Sequence, residues 1–467
     1  MRKVKLIIAI IMGKLIISLT RFTGSQGTVF PGKIARILHP DILHELAKNI
    51  LEEIIVITGT NGKTTTSNMV AQILKEHNYS LVHNEAGANM LAGITTAFIA
   101  KTNLWGTKLF DYALLETDEA NLPLLLKEIT PKLVLITNFF NDQLDRFGEV
   151  DYIIDLIKDA VRNTNIELVL NADDPLVTHF QRATGLHCWY YGFRETDYDK
   201  SEDLESKVGK YCAFCGHQLV FEKYHYAQLG KFHCPNCASK NPEPNFVGHN
   251  LQMNPTISFS ANDIFLESPY QGFYNAYNIL AAVSIAKLVG LQDNFITEAI
   301  RNYQPQAGRM ESFFIQRKEV ILILVKNPIG LNQALEALGN NPDNKNILFI
   351  LNDKAGDGRD VSWVWEANLE LITAEGFNIE AFVCSGSRSG DIALRVKYAG
   401  YPESSLYLAD GLQESILKAI NQTSSTSYVF STYSALFACR KILINLQAES
   451  KTGLKGNNVV ETVKLGD

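Results

Sequence analysis

Gly59-Thr60-Asn61-Gly62-Lys63-Thr64-Thr65 follows directly on the buried-strand pattern Ile54-Ile55-Val56-Ile57-Thr58 and leads into an amphipathic stretch. That order suits a phosphate cradle. Backbone N–H groups of a glycine turn and of the helix it opens point at phosphate oxygens, a lysine neutralises β/γ charge, and a threonine hydroxyl can hold Mg²⁺. Lys63, Thr64 and Thr65 sit where the helix should begin, and Thr60, Asn61 and Gly62 form the turn. The loop is one residue shorter than G-x-x-x-x-G-K-[ST]. A glycine turn that merely ended a strand would not call for a lysine followed by three threonines, so ATP and Mg²⁺ are the expected ligands. A nucleotide site also needs a carboxylate at the end of a neighbouring strand. Tyr112-Ala113-Leu114-Leu115-Glu116 offers Glu116, with Asp118 and Glu119 close behind; this acidic group is either a metal site or a solvated loop.

A second constellation is Cys212-Ala-Phe-Cys215 and Cys234-Pro-Asn-Cys237, with residues 216–233 between the pairs. Two C-x-x-C knuckles at such spacing predict four thiolates closing a tetrahedron around structural Zn²⁺, with no position left for water. His217, His225 and His233 are alternative ligands, and disulfide redox chemistry is a further alternative. Of the seven cysteines, Cys188, Cys384 and Cys439 are scattered singly, which favours a reducing, cytoplasmic compartment over a disulfide framework.

Positioning these groups takes more than one core, since 467 residues exceed what a single domain usually spans. With 46% hydrophobic and 20% charged residues, the chain reads as globular. A net charge of -7 and a pI near 5.9 argue against a phosphate-backbone binder, so nucleic acid is not an expected partner. From residue 53 onward, short apolar runs (IIVITG, LVHN, YALLET, KLVLITN, ELVLNAD) alternate with helical periods, which predicts parallel strands with crossover helices. The rhythm stops where the cysteines begin and resumes in FYNAYNILAAVSIAKLVG. A Pro/Gly hinge, YQPQAGRME, precedes further strand candidates: VILILV, KNILFILN, EAFVCSG, SLYLAD and SYVFSTY. The expected layout is residues 1–50 as an amphipathic helix and lead-in, 51–305 as a P-loop ATPase domain, 205–244 as a ribbon inserted in it, 306–450 as a second α/β domain, and 451–467 as a polar tail. The N-terminal MRKVKLIIAIIMGKLIISLTRF mimics a signal peptide, but Lys14 interrupts it and no small-residue cleavage site follows. It either packs on its own domain or lies on the inner membrane face with Lys3, Lys5, Lys14 and Arg21 towards anionic headgroups.

GTNGKTTT, ALLETDEA, TNFFNDQLDRFGE, NADDP, GFYNAYNILAA and AGRME, in that order, resemble the ATPase core of the Mur ligase family of cell-wall synthesis. The resemblance runs from Gly59 to Met310. It implies a Mur-ligase-like α/β fold with a parallel sheet, an inserted four-cysteine zinc ribbon and a Rossmann-like α/β C-terminal domain. It further implies that Lys63 and Thr64 bind ATP and Mg²⁺, that Glu116 binds Mg²⁺, and that Asn278 and Arg309 contact the nucleotide. The implied chemistry is phosphorylation of a substrate carboxylate to an acyl phosphate, which an amine then attacks. Two departures stand out. The helix motif begins Tyr274-Asn275 where amino-acid-adding members have His-Asn, and Leu324-Val325-Lys326-Asn327-Pro328 replaces Asp-Tyr-Ala-His-x-Pro. These departures and the zinc ribbon match one subfamily, which amidates the D-glutamate of lipid II to D-isoglutamine. Leu351-Asn352-Asp353, Asp357-Gly358-Arg359-Asp360 and Ser362-Trp363 extend that match.

Amidation needs ammonia, and a glutaminase is its usual source. Cys384 follows a strand but lacks flanking G-x-C-x-G glycines, and no histidine follows it, so it reads as a buried strand-end residue. The resemblance assigns the glutaminase to a separate GatD-type subunit, whose Cys and His an aspartate of this chain would complete. Asp360 is the candidate, with Asp353 and Asp357 as fallbacks and a helix N-cap as the alternative role. The competing functions are a stand-alone amino-acid ligase of the folylpolyglutamate type and a zinc-ribbon nucleic-acid ATPase.

Overall fold

The computed structural model describes residues 2–22, 28–85, 88–140, 150–201, 208–254, 256–304, 308–339, 342–354, 356–422 and 426–457. It contains two compact units, Met1–Tyr303 and Gln304–Asp467. Residues 141–149 of the TNFFNDQLDRFGE motif, 202–207 at the expected edge of the ribbon and 305–307 of the hinge lie outside the described residues.

In the first unit, helices α1 (Arg2–Phe22), α2 (Phe30–Leu38) and α3 (Ile42–Ala47) precede the sheet. Strands β1 (Ile50–Thr58), β2 (Leu81–His83), β3 (Phe110–Glu116), β4 (Leu133–Ile136), β5 (Glu167–Asn171) and β6 (Cys188–Phe193) follow. α4 (Lys63–Glu76) and α5 (Leu91–Lys101) are the first crossovers. The β7 (Val220–Tyr226) and β8 (Leu229–His233) hairpin forms a sheet of its own, and β9 (Phe246–Gln252), β10 (Ile257–Ala261) and β11 (Ile264–Ser268) rejoin the main one. That sheet has nine strands in the order β11-β10-β9-β6-β5-β4-β1-β3-β2. It is parallel from β2 to β9 and antiparallel across β9, β10 and β11. The Val/Ile/Leu-rich inner strands are buried, as a sheet covered on both faces demands. β1 lies between β3 and β4, so successive crossovers leave it in opposite directions and open a crevice at its carboxyl end.

α1 packs against α2 and α5, with Ala9, Ile10 and Ile17 in the core. The expected amphipathic helix is thus seated on its own unit, but its other face is apolar too: Val4, Ile8, Ile11, Met12, Leu15, Leu19 and Phe22 are exposed. No described helix is long and apolar enough to cross a membrane.

In the second unit, β12 (Arg309–Ile315), β13 (Lys318–Leu324), β14 (Lys345–Ile350), β15 (Ile379–Ser385), β16 (Leu406–Leu408) and β17 (Thr426–Ser431) form a sheet ordered β12-β13-β17-β14-β15-β16. Only the β12–β13 pairing is antiparallel. Apolar cores line the two faces. The terminal helix runs Tyr433–Asn457.

Candidate nucleotide site and cysteine cluster

β1 delivers the chain to Gly59 at φ +118°, where a Cβ would collide with Thr137 and the Asn138 backbone, so only glycine fits. Gly62, at φ +84°, caps α4 and faces the Asn278 side chain, which a Cβ would strike. Between them the turn is pinned by the end of β4. Thr60 N–H donates to Asn138 O (2.9 Å), Asn61 N–H to Asn138 Oδ1 (3.0 Å), and Thr137 Oγ1 to Asn61 O (2.7 Å). Thr65 lies buried on the first turn of α4.

Lys63 is buried. Its Nζ donates to the loop's own Gly59 O, to Thr60 O (3.2 Å) and to Glu119 Oε2 (3.2 Å). The cation is thus held at the mouth of the turn by carbonyls and one carboxylate, groups that an anionic phosphate would replace as a partner. Thr64 Oγ1 donates to Glu116 Oε1 at 3.0 Å. The β1–β3 register sets this pair, since Ile57 lies opposite Glu116. A hydroxyl and a carboxylate at a phosphate loop are the hard oxygen ligands Mg²⁺ favours. Glu116 is itself fixed through its backbone, its N–H donating to Asn84 Oδ1 (2.9 Å) and its carbonyl accepting from Asn84 Nδ2 (2.8 Å). Asn278 completes the group: its Oδ1 accepts from Thr66 Oγ1 (3.4 Å), and its Nδ2 donates to Asn275 Oδ1 (3.1 Å). The first unit therefore brings Thr60, Asn61, Gly62, Lys63, Thr64, Thr65, Glu116 and Asn278 together. Arg309 opens β12 in the second unit.

Sequence reasoning missed Asn138 and Thr137 as the frame of the loop and Asn84 as the anchor of Glu116, and left Glu119 as a bystander although it pairs with Lys63. Their common trait is a polar side chain one to three residues past the end of a strand. It also missed a buried network beside them. Asp173 accepts from Phe193 N–H (2.8 Å), Tyr277 Oη (2.8 Å) and Lys231 Nζ (2.6 Å), and His225 pairs with Asp199 at 2.7 Å. Gln228 Nε2 donates to Phe139 O at 2.6 Å. Lys231, His225 and Gln228 belong to the β7–β8 hairpin, so the inserted segment is bolted to the strand ends that frame the nucleotide loop. Burial pushes the neighbouring Asp174 carboxyl up to about 7.

At the far end of that hairpin, the Sγ atoms of Cys212, Cys215, Cys234 and Cys237 all lie within 4.8 Å of one another. The closest pairs, Cys212–Cys237 and Cys215–Cys234, are both 3.5 Å apart. Four sulfurs about 2.3 Å from a tetrahedral ion would sit roughly 3.8 Å apart, so the cluster can hold a metal. Gly216 N–H donates to Cys212 O (2.8 Å) and Ala238 N–H to Cys234 O (3.0 Å), which closes the two knuckles. Two of the three candidate histidines are engaged elsewhere: His225 is buried against Asp199, and His233 faces Glu222 at 3.2 Å.

In the second unit Asp360 is exposed, and its Oδ1 accepts from Ser362 N–H at 2.8 Å. That bond holds its carboxyl below the usual range. The expected helix start is instead a short 3₁₀ turn, Ser362–Trp365. Asp357 is buried and accepts from Ser434 N–H at 2.6 Å, which makes it a structural residue. Asp353 accepts from Ser387 Oγ at 2.9 Å. Cys384 is fully buried, and burial pushes its thiol up to about 12, as a strand-end core residue requires.

The chain matches the Mur ligase middle-domain family over residues 57–239 and the MurT ligase C-terminal family over residues 324–436. It is 38% identical to the lipid II isoglutaminyl synthase (glutamine-hydrolysing) subunit MurT of Staphylococcus aureus (strain COL), over 84% of this chain and 87% of that one. It is 36% identical to the subunit of the same name from Streptococcus pneumoniae (strain ATCC BAA-255 / R6), over 91% and 94%. Its fold resembles that of a pseudomurein peptide ligase type C from Methanothermus fervidus, with a TM-score of 0.64 at 20% identity, covering 85% of this chain and 79% of that one. A phosphate loop on a Mur-ligase-like sheet, followed by the matching C-terminal unit, places the protein in the MurT family of Mur-ligase-related proteins.

Proposed function

We propose that this chain is the synthetase subunit of a lipid II amidotransferase. It amidates the α-carboxylate of D-glutamate in the stem peptide to D-isoglutamine, at the cytoplasmic face of the membrane where a lipid-linked substrate is met. The observation that carries the reading is the Gly59–Thr65 loop with its Lys63 cation and Thr64–Glu116 pair, set in a chain whose relatives are named as subunits of that synthase.

The substrate carboxylate attacks the γ-phosphorus of ATP, forming an acyl phosphate and releasing ADP. Ammonia then forms the C–N bond as phosphate and a proton leave. Lys63 neutralises charge on the transferring phosphoryl group, and the Gly59–Thr65 turn and the first turn of α4 offer N–H groups to the phosphates. Thr64 and Glu116 would hold Mg²⁺, which would supply positive charge to neutralise the phosphates. Asn278 and Arg309 contact the nucleotide. Ammonia comes from a GatD-type glutaminase subunit, whose imidazole Asp360 orients across the interface. The exposed, low-pKa carboxyl of Asp360 supports that role, since it stays ionised and within a partner's reach. Zn²⁺ on Cys212, Cys215, Cys234 and Cys237 is structural.

The test is to purify the chain with and without such a glutaminase and to assay lipid II amidation with ATP and Mg²⁺. Glutamine should support turnover only with the partner, while ammonia should support it without. Failure with both nitrogen donors overturns the proposal.

A further inference from the structure

A helix with apolar side chains on two faces normally buries both, and α1 buries only one. Ala9, Ile10 and Ile17 face the core, yet Val4, Ile8, Ile11, Leu15, Leu19 and Phe22 are exposed, Phe22 at 93%. Their spacing of four, three, four, four and three residues is that of one continuous stripe along a helix. Over the 21 residues of α1, at ~1.5 Å per residue, the stripe runs about 30 Å. Contiguous exposed apolar surface on this scale marks an interaction site.

Charge points to the occupant. α1 carries Arg2, Lys3, Lys5, Lys14 and Arg21 and no acidic residue, within a chain of net charge -7. Lys3 and Lys5 are exposed beside the stripe, while Arg2 is paired with Asp41 and Glu45. Lys14 lies close enough to Lys108 for the two to repel. The loop bearing Lys108 abuts α1, because Gly106 sits against Leu6 and Ile10, and it exposes Trp105 and Leu104. Aliphatic side chains flanked by basic residues, with a tryptophan nearby, match a membrane interface with anionic headgroups. A wholly acidic-free helix on an acidic molecule would also orient the chain, attracting this face to such a surface while the remainder is repelled.

We infer that the exposed face of α1 is a peripheral docking surface for an anionic lipid bilayer, which holds the enzyme where its lipid-linked substrate resides. The inference rests on the functional reading for that purpose but not for its test.

The test is flotation of the full chain with vesicles of phosphatidylglycerol and phosphatidylethanolamine that contain neither lipid II nor ATP. The parent should float. Leu15→Glu/Leu19→Glu should lower vesicle affinity by at least about tenfold, since it places two charges where apolar side chains enter the interface. Lys3→Glu/Lys5→Glu, which leaves the apolar stripe intact, should weaken binding to these vesicles several-fold and leave binding to pure phosphatidylcholine unchanged. The first variant should keep amidating a water-soluble substrate and lose turnover on vesicle-borne lipid II. A parent that stays in the soluble fraction, or variants that float as it does, overturns the inference. So does a sedimentation experiment in which Leu15→Glu/Leu19→Glu dissolves a dimer or releases the glutaminase. Vesicle binding without amidation would instead sink the functional reading and leave this one standing.

Discussion

Lys231→Met cuts the ion pair that ties the cysteine-bearing hairpin to the nucleotide domain. Asp173 is fully buried and keeps two donors in the variant, Phe193 N–H and Tyr277 Oη, both at 2.8 Å. It loses the third, Lys231 Nζ at 2.6 Å. Leaving one partner of a buried pair uncompensated costs about 3–5 kcal/mol. Lys231 is 25% exposed and two donors remain, so the lower end applies, about 3 kcal/mol. For a unit of about 300 residues, at ~2.1 cal/mol/K of unfolding entropy per residue, that corresponds to a fall of roughly 5 °C in Tm. Tyr277 precedes Asn278, so the variant should also bind ATP more weakly. Thermal unfolding by calorimetry and ATP titration measure both effects. Asp173→Asn in the same background should recover part of the loss, giving a coupling of about 1–3 kcal/mol in a double-mutant cycle. A Lys231→Met protein within about 0.5 kcal/mol of the parent, or a cycle that closes to zero, would refute the reasoning.

Asp360→Asn should abolish glutamine-dependent amidation by the two-subunit complex and leave ammonia-dependent turnover and ATP binding intact; paired rate assays with the two nitrogen donors check this. Cys234→Ser should lose one equivalent of zinc by elemental analysis, and since a structural site contributes folding energy it should lower Tm and weaken ATP binding through the hairpin. Burial holds His83 down at about 4, below its ordinary 6.5, so the unfolded chain binds the extra proton first as pH falls. The folded state should therefore lose stability between pH 6.5 and about 4 through this residue, by about 3 kcal/mol in all. His83→Asn should flatten the urea-unfolding free energy over that window, and an unchanged slope would contradict the assignment.

The inner strands were legible because parallel strands buried on both faces read as short aliphatic runs, as in Ile54–Thr58 and Leu133–Ile136. β9, β10 and β11 were not, since FVGHNLQ, ISFSA and IFLES mix polar and apolar residues at half-buried positions. The loop residues Gly59 to Thr65 could be named from spacing alone because phosphate binding is a local backbone property. Its frame could not be read that way. Asn138 and Glu119 reach the loop, and Asn84 reaches Glu116, only through the register of β4, β3 and β2, which no local pattern fixes. Likewise, Asp173 becomes a junction only when Lys231 and Tyr277, distant in sequence, converge on it. α1 shows the reverse limit: its apolar residues were visible from the start, but only the packing separates the face that builds the core from the face left exposed.

The central claim is that a γ-phosphate held at Lys63 is passed to the substrate carboxylate before nitrogen attacks. It is tested most directly by measuring phosphate released against D-isoglutamine formed, in the complete complex with lipid II, glutamine, ATP and Mg²⁺. Equal amounts are expected throughout the reaction, with a loss of both by about a hundredfold to a thousandfold in Lys63→Ala. Amide formation without matching phosphate release, or a Lys63→Ala complex that turns over like the parent, would contradict it.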